Sequence, residues 1–397
     1  MEKNKNFQSK IINVTFLLLI FGVFILSIFY PKRAYSTTEN RFLAQAPKVS
    51  VDAIFSGQFM TDYENYVTDQ FPMRDGMITV KTLTELAMQK KEINGVYFAD
   101  DDYLIEAHTA EEIETEQLEK NLKSVYNFIK TQSEVLGQGN VKLMLVPTAN
   151  EVLKDKLPAF VSDYDQGKLL DEVYNELKAN GNEAAFVDVL SEMKLQLERE
   201  PESYLYYRTD HHWTTLGAYY GYLAFAKSCG YVPDLNLFSS TADVDYILEV
   251  VHDKFYGTIT SKININTKPD EITLFHKSVP SPIEVRYDMM GAWGDSLYDF
   301  SKLETTDEYE VFQGGNHGLV EIKTQVDNGK KLLVVKDSYA NCMLPFLTNH
   351  YEEIHVLDLR FFNLKVTDYM KMAKFDEILV LYNIPNFATE NTVFNIR

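Results

Sequence analysis

The stretch Thr209-Asp210-His211-His212-Trp213-Thr214 combines residue types that together can move a proton. Asp210 and His212 stand two apart, so on a locally extended segment their side chains leave on the same face. A carboxylate beside an imidazole holds one ring nitrogen as N–H and leaves the other free to accept a proton. That is a base with its orienting acid, two parts of a nucleophilic triad. The third part must come from elsewhere, and the best candidate is Ser338, which follows the apolar run Leu332-Leu333-Val334-Val335 and opens a predicted helix. On such a turn the hydroxyl is presented beside backbone N–H groups that can meet a developing oxyanion. Asp337 and Ser338 are equally suited to capping that helix, which is the purely structural reading of the same pair.

Other constellations compete. Gly294-Asp295-Ser296-Leu297 spells the signature of a hydrolase class, but Arg286-Tyr287-Asp288 before it is no buried strand and no clear helix follows, so a loop is predicted. His211, His212 and Asp210 are metal-ligating types. Adjacent histidines on a strand point opposite ways and rarely reach one ion, so neither a metal nor a cofactor is expected. Cys229 and Cys342 show no metal spacing; a single disulfide is open, and two buried thiols are the plainer reading.

These residues need a scaffold that brings distant segments together. Near-continuous apolar runs predict strands covered on both faces at Val141–Val146, Leu332–Val335, Ile354–Leu357 and Ile378–Leu381, with a further strand at Ala184–Val189. Between them, helical patterns run over Ala110–Thr131, Tyr164–Ala179, Ser191–Glu200, Thr215–Cys229, Tyr339–Thr348 and Lys365–Ala373. Strands alternating with helices imply a parallel sheet, and its strand C-terminal ends share one rim where ligands bind. Asn150, Ser338, Arg360, Tyr382 and Asn383 all fall just beyond or at the ends of such strands. From about 235 to 324 the pattern changes to short alternating runs, including Tyr246–Val251, Glu271–Phe275, Ile283–Tyr287, Tyr309–Phe312 and Leu319–Ile322, which read as a β-rich insertion or an antiparallel extension.

The N-terminus has its own logic. Lys3, Lys5 and Lys10 precede an apolar run from Ile11 to Tyr30, about 20 residues and enough to cross the hydrocarbon. The lysines belong on the cytoplasmic side, which places the body outside. Ala34-Tyr35-Ser36 resembles a cleavage site, but the run exceeds the usual apolar core of a signal peptide, so an uncleaved anchor is the first reading and secretion after cleavage near Ser36 the second. The expected organisation is a tail, anchor and start of linker at 1–36, a linker and helical lead-in at 37–95, and an α/β domain at 96–397 carrying the insertion. With 38 basic against 58 acidic residues the net charge is −20, which argues against nucleic-acid binding.

Asp210-His211-His212-Trp213 resembles the signature of the DHHW family of bacterial exported proteins. So do Asp69-Gln70-Phe71-Pro72, Asn94-Gly95-Val96-Tyr97, Pro147-Thr148, Phe255-Tyr256-Gly257-Thr258, Gly314-Gly315-Asn316, Lys336-Asp337-Ser338-Tyr339, Asp358-Leu359-Arg360 and Tyr382-Asn383. That family is similar to the alginate O-acetylation proteins, which carry Asp-x-His-Trp and belong to the SGNH hydrolase-like superfamily. The resemblance implies an SGNH hydrolase-like parallel sheet flanked by helices, with Asp210 orienting, His212 as base and Ser338 as nucleophile. His211 occupies the variable position and receives no role. Lys336 stands where that superfamily has a glycine, and the Asp/His pair precedes the serine, as it does in the alginate proteins. Asn383 and Asn150 are candidate oxyanion or substrate contacts; Arg360 is a substrate contact or a salt-bridge partner of Asp358; Trp213 is core or a wall of the site.

The implied activity is transfer of an acetyl group through an acyl-serine to a cell-surface polysaccharide or exopolysaccharide, supplied by a multi-spanning membrane O-acyltransferase. A carbohydrate esterase uses the same residues. A non-catalytic polysaccharide-binding or scaffold subunit of a membrane acetylation complex is the competing class, and predicts that Ser338→Ala keeps full function.

Overall fold

The computed structural model describes residues 2–36, 41–233, 246–289 and 291–397, with the side chains of 2–8 set aside. The chain divides into two compact units, one of residues 1–90 with 261–265 and the other of 91–260 with 266–397.

In the first unit, a helix runs Glu2–Phe29. Its Ser9–Phe29 segment is 21 residues, none of it buried, and is long and apolar enough to cross a membrane. A two-residue pair, Tyr35–Ser36 (β1) with Arg41–Phe42 (β2), follows. The helices Gln58–Asp69 and Arg74–Ala87 come next, separated at Phe71-Pro72, where proline removes a backbone donor. Asp69 accepts from the Arg41 guanidinium at 2.6 and 2.9 Å and from Ala44 N–H at 2.8 Å, the structural role of the Asp-Gln-Phe-Pro motif.

The second unit opens with a small antiparallel sheet of Glu92–Ile93 (β3), Val96–Phe98 (β4) and Leu104–Glu106 (β5). Asn94 and Gly95, at φ 52° and 72°, make the tight turn between β3 and β4. The central sheet uses Val141–Val146 (β6), Glu284–Tyr287 (β9), Leu319–Lys323 (β10), Lys331–Lys336 (β11), Glu353–Leu357 (β12) and Glu377–Asn383 (β13), in the order β6-β13-β11-β12-β10-β9. The first four in that order are parallel, and β10 and β9 add an antiparallel edge.

Strand parity divides the core. Met144, Val334, Val356 and Leu381 face one layer with Trp213, Tyr222 and Phe346; Leu143, Val335, Val380 and Tyr382 face the other, packed under the helices Glu116–Leu136 and Gln166–Ala179. A mixed α/β fold with helices on both faces of the sheet is therefore present, and it explains why these strands carry apolar residues at every position.

The insertion takes both of its expected forms: Tyr246–Phe255 (β7) and Asp270–Lys277 (β8) form an antiparallel ribbon, while β9 and β10 join the main sheet as an antiparallel extension. Its expected start near 235 lies outside the described residues. Ala184–Val189 is not a strand. Glu183–Ala185 turns as a 3-10 helix and Asp188 caps the helix Val189–Arg199, leaving a single bridge from Phe186 to Leu143. Tyr309–Phe312 lies mostly in a 3-10 turn, Glu308–Val311, whose alternating burial mimics a strand. Tyr339–Thr348 is split into a 3-10 turn Ser338–Cys342 and a short helix Leu344–Leu347, because Pro345 has no N–H to continue the first turn.

Candidate active site

The parallel strands deliver their C-terminal ends to one rim. There β6 runs into Pro147–Asn150, β11 into Asp337-Ser338, β12 into Asp358–Arg360, and β13 ends at Asn383. The Asp-His-His-Trp stretch comes to the same place from a loop ahead of the helix Thr215–Cys229.

Ser338 Oγ lies 2.8 Å from His212 Nε2, and His212 Nδ1 lies 2.6 Å from Asp210 Oδ1. Asp210 and His212 are buried and Ser338 is 9% exposed. Asp210 also accepts from His212 N–H at 2.9 Å, Thr258 N–H at 2.9 Å and Thr258 Oγ1 at 3.1 Å. Burial alone would raise its carboxyl pKa; the two imidazoles and these donors outweigh it and hold the group well below the carboxylate range. An ionised Asp210 fixes the His212 hydrogen on Nδ1, so Nε2 accepts from the Ser338 hydroxyl.

The positioning differs from the expected one. Residues 209–212 form a bend rather than a strand, and Asp210 closes an Asx turn on His212 N–H. As a result the two imidazoles do not point opposite ways: their centroids are 3.9 Å apart with planes at 38°. Ligand-type atoms of Asp210, His211 and His212 fall within 4.8 Å of one another, so strand alternation does not keep the two histidines from a shared ion. The donor chemistry argues instead, since both His212 nitrogens and both Asp210 oxygens are engaged in hydrogen bonds.

Two loops 126 to 128 residues apart are stitched together here. Besides the His212–Ser338 bond, Trp213 Nε1 donates to the Tyr339 carbonyl at 2.8 Å and the Tyr339 hydroxyl donates to the His211 carbonyl. Trp213 is fully buried, so it is core and not a wall of the site. A Cβ on Gly257 would stand 2.1 Å from Asp210 Cβ; only glycine lets the Phe-Tyr-Gly-Thr backbone close on this carboxylate.

Beneath Ser338 the rim is polar and dense. Asp337 caps the 3-10 turn through Tyr339 N–H at 2.9 Å and accepts from Asn383 N–H, Asn383 Nδ2 and Asn386 Nδ2 at 2.9, 2.8 and 3.2 Å. Asn383 is thus held to Asp337 in place of a free oxyanion donor, and its Oδ1 caps Asn386 N–H at 2.9 Å. Lys336 is fully buried, donating to Asn341 Oδ1 at 2.6 Å and Asn316 Oδ1 at 3.1 Å, with Asp358 at 3.7 Å. Burial lowers its pKa to about 8 against the pull of Asp358. Arg360 grips the same Asp358 through Nε at 2.9 Å and its terminal nitrogen at 2.5 Å, the salt bridge among its two expected readings.

Asn150 is engaged with Asp163, Gln166 and Thr148, on the wall of a cavity of about 70 Å³ that also meets Asp210, His211, Tyr339, Asn383 and Asn386. Tyr382 is not at the site. Its parity on β13 sends it into the opposite core layer, where its hydroxyl finds no partner among the described residues. Cys229 and Cys342 are free thiols. Ser296 sits exposed in a loop, with its Oγ donating to the Tyr298 carbonyl at 3.1 Å.

Residues that the spacing did not single out complete the arrangement. Tyr309 stacks on His212 with centroids 3.8 Å apart and planes at 10°, its hydroxyl 3.3 Å from Cys342 Sγ. Asn386 and Thr258 were within reach of sequence reasoning, one three residues past Asn383 and the other in a quoted motif. Tyr309 carried no such signal.

The DHHW protein family model matches residues 118–357. A DHHW family protein from Eubacterium siraeum is 25% identical, over 77% of this chain and 95% of its own, with a TM-score of 0.60. Bacillus cereus PatB1, solved with a sulfonyl adduct, shares the fold at 19% identity, over 76% of this chain and 98% of its own, with a TM-score of 0.57. The O-acetyltransferase domain of Pseudomonas putida AlgJ is 15% identical over 75% and 93%, at a TM-score of 0.44. No curated protein sequence matches the chain.

Proposed function

The chain belongs to the DHHW protein family, and on that premise we propose a serine O-acyltransferase of the cell envelope that passes an acetyl group through Ser338 to a polysaccharide. One observation carries the reading: the continuous hydrogen-bonded line from Asp210 Oδ1 through His212 to Ser338 Oγ, with links of 2.6 and 2.8 Å.

In this reading Ser338 Oγ attacks the donor's acyl carbonyl as its proton passes to His212 Nε2. Asp210 keeps Nδ1 protonated and stabilises the imidazolium. The oxyanion forms beside the Ser338 amide, whose N–H has no acceptor among the described residues. His212 then protonates the leaving group. A sugar hydroxyl gives its proton to His212 and takes the acyl group; water in its place gives hydrolysis, the esterase outcome. Losing one oxyanion donor from such a site costs about 10²–10³ in rate.

The acetyl group, the polysaccharide acceptor and a multi-spanning acyltransferase as donor come from the motif resemblance to the alginate O-acetylation proteins. The apolar Ser9–Phe29 helix supports a membrane anchor, with the body outside because the lysines precede it.

The test uses full-length protein in detergent with p-nitrophenyl acetate. Wild type is expected to release a stoichiometric burst of nitrophenol and carry acetyl on Ser338 by mass spectrometry. Ser338→Ala and His212→Ala should abolish the burst. Equal activity in Ser338→Ala would end the enzyme reading and leave the scaffold one.

A further inference from the structure

The mechanism above leaves His211 without work, although its ring lies against His212 and lines the cavity beside Asn150 and Asn386. A third of its side chain is exposed. Its hydrogen can be placed from its neighbours. Asp210 faces four donors and is a carboxylate, so Thr258 Oγ1, 3.1 Å away, must give its one hydrogen to Asp210 Oδ2. Towards His211 Nδ1, at 2.9 Å, Thr258 Oγ1 is then an acceptor. In the unprotonated ring Nδ1 therefore carries the hydrogen, and Nε2 is a lone pair with no partner among the described residues.

Two imidazoles thus stand side by side, each with Nδ1 turned to the Asp210–Thr258 pair and Nε2 left to accept, and His211 is the one that borders the cavity. His212 Nε2 serves the reacting hydroxyl. We propose that His211 Nε2 accepts a hydrogen bond from the neighbouring hydroxyl of the same acceptor, so that the site selects vicinal diols, the arrangement on a sugar ring, over isolated alcohols. The inference rests on the acyl-serine reading and concerns only its second half. In that step the acceptor oxygen bonds to the acyl carbon, the acyl–Oγ bond breaks, and the acceptor's proton passes through His212 to Ser338 Oγ. His211 exchanges no proton; it is a specificity-determining contact.

The experiment acylates the full-length chain with p-nitrophenyl acetate and offers trans-1,2-cyclohexanediol or its monomethyl ether, trans-2-methoxycyclohexanol. The readout is the partition between acetyl transfer and hydrolysis. Wild type is expected to favour the diol by about threefold to tenfold beyond the statistical factor of two for its second hydroxyl, the range one charge-free hydrogen bond can supply. His211→Phe keeps a ring against His212 but removes the acceptor atom: the burst should persist and the preference should vanish. His211→Gln, which retains an acceptor oxygen, should restore part of it. A wild-type burst without diol preference, or a preference that survives in His211→Phe, overturns the proposal and leaves the acyl-serine reading standing. No burst in wild type removes both. If His211→Phe loses the burst, His211→Gln decides. A burst with preference supports the contact, and a burst without preference overturns it. Loss of the burst in both variants makes His211 a support for His212 and overturns it too.

Discussion

In the proposed mechanism His212 is a base kept dry. Burial is the largest influence on its pKa, His211 pushes in the same direction, and Asp210 offsets only part, leaving it at about 4 against an ordinary 6.5. A general base works only when neutral. The reporter kcat/KM is therefore expected to hold its plateau from neutral pH down to about 4 and to fall below that; an acid limb at 6.5 would show an imidazole open to solvent. Asp210→Asn replaces an acceptor-only group with one that can donate to Nδ1 and force the hydrogen to Nε2. It should cost about 10³–10⁴ in kcat/KM, and a loss under tenfold would contradict the assigned tautomer. Asp210, His212 and Ser338 were legible in the sequence because few residue types can form such a relay, and because strand ends gather at one rim. Tyr309 was not, since a stacking partner is defined by tertiary packing alone. Tyr382 was over-read for a related reason: proximity to a strand end says nothing about which layer a side chain enters, whereas Trp213 took the core place among its two readings.

At the level of elements, one close backbone approach sets the site. Gly257 admits no side chain beside Asp210, whereas Gly294 in the Gly-Asp-Ser-Leu loop has only the Val285 carbonyl at 3.9 Å. Gly257→Ala is expected to destabilise by about 1–3 kcal/mol and to lower reporter kcat, while Gly294→Ala leaves both unchanged; denaturant midpoints and rates together check this. Lys336 is the buried counter-charge of Asp358, within a cluster that also contains Asn316, Asn341 and Arg360. Arg360 still pairs with Asp358 when Lys336 is removed, but Asn316 and Asn341 lose a buried donor, so Lys336→Ala should lower the unfolding midpoint by an amount worth about 1–3 kcal/mol. An effect under 1 kcal/mol would mean that the ammonium is dispensable. The Lys336-Asp337, Asp358-Leu359-Arg360 and Gly314-Gly315-Asn316 motifs thus read as one ionic joint under the rim, which no single motif reveals. Strands β6, β11, β12 and β13 were legible as unbroken apolar runs. The 3-10 turns at Glu308–Val311 and Ser338–Cys342 were not, because alternating burial and a cap followed by apolar residues fit a strand and an α-helix equally well.

For the whole molecule, the exposed apolar Ser9–Phe29 helix predicts that the full chain sediments with membranes and resists carbonate extraction, while a chain lacking residues 1–33 is released. Added protease should degrade the body on intact cells; protection would reverse the proposed orientation. The N-terminal helix and the α/β layering were readable from apolar run length and alternation. The joining of β9 and β10 to the main sheet was only one of two readings, because strand pairing partners are not written in local pattern. The order of that sheet also bears on when the protein becomes reactive. β13 is made after every other strand, yet it lies between β6 and β11, and its Leu381 carbonyl and Asn383 amide hold Asp337 next to Ser338. A nascent chain, emerging N-terminus first, therefore carries both the imidazole and the hydroxyl long before their seat exists. On the acyl-serine proposal, half-made molecules should be chemically silent, and reactivity would begin only when the last central strand slots home.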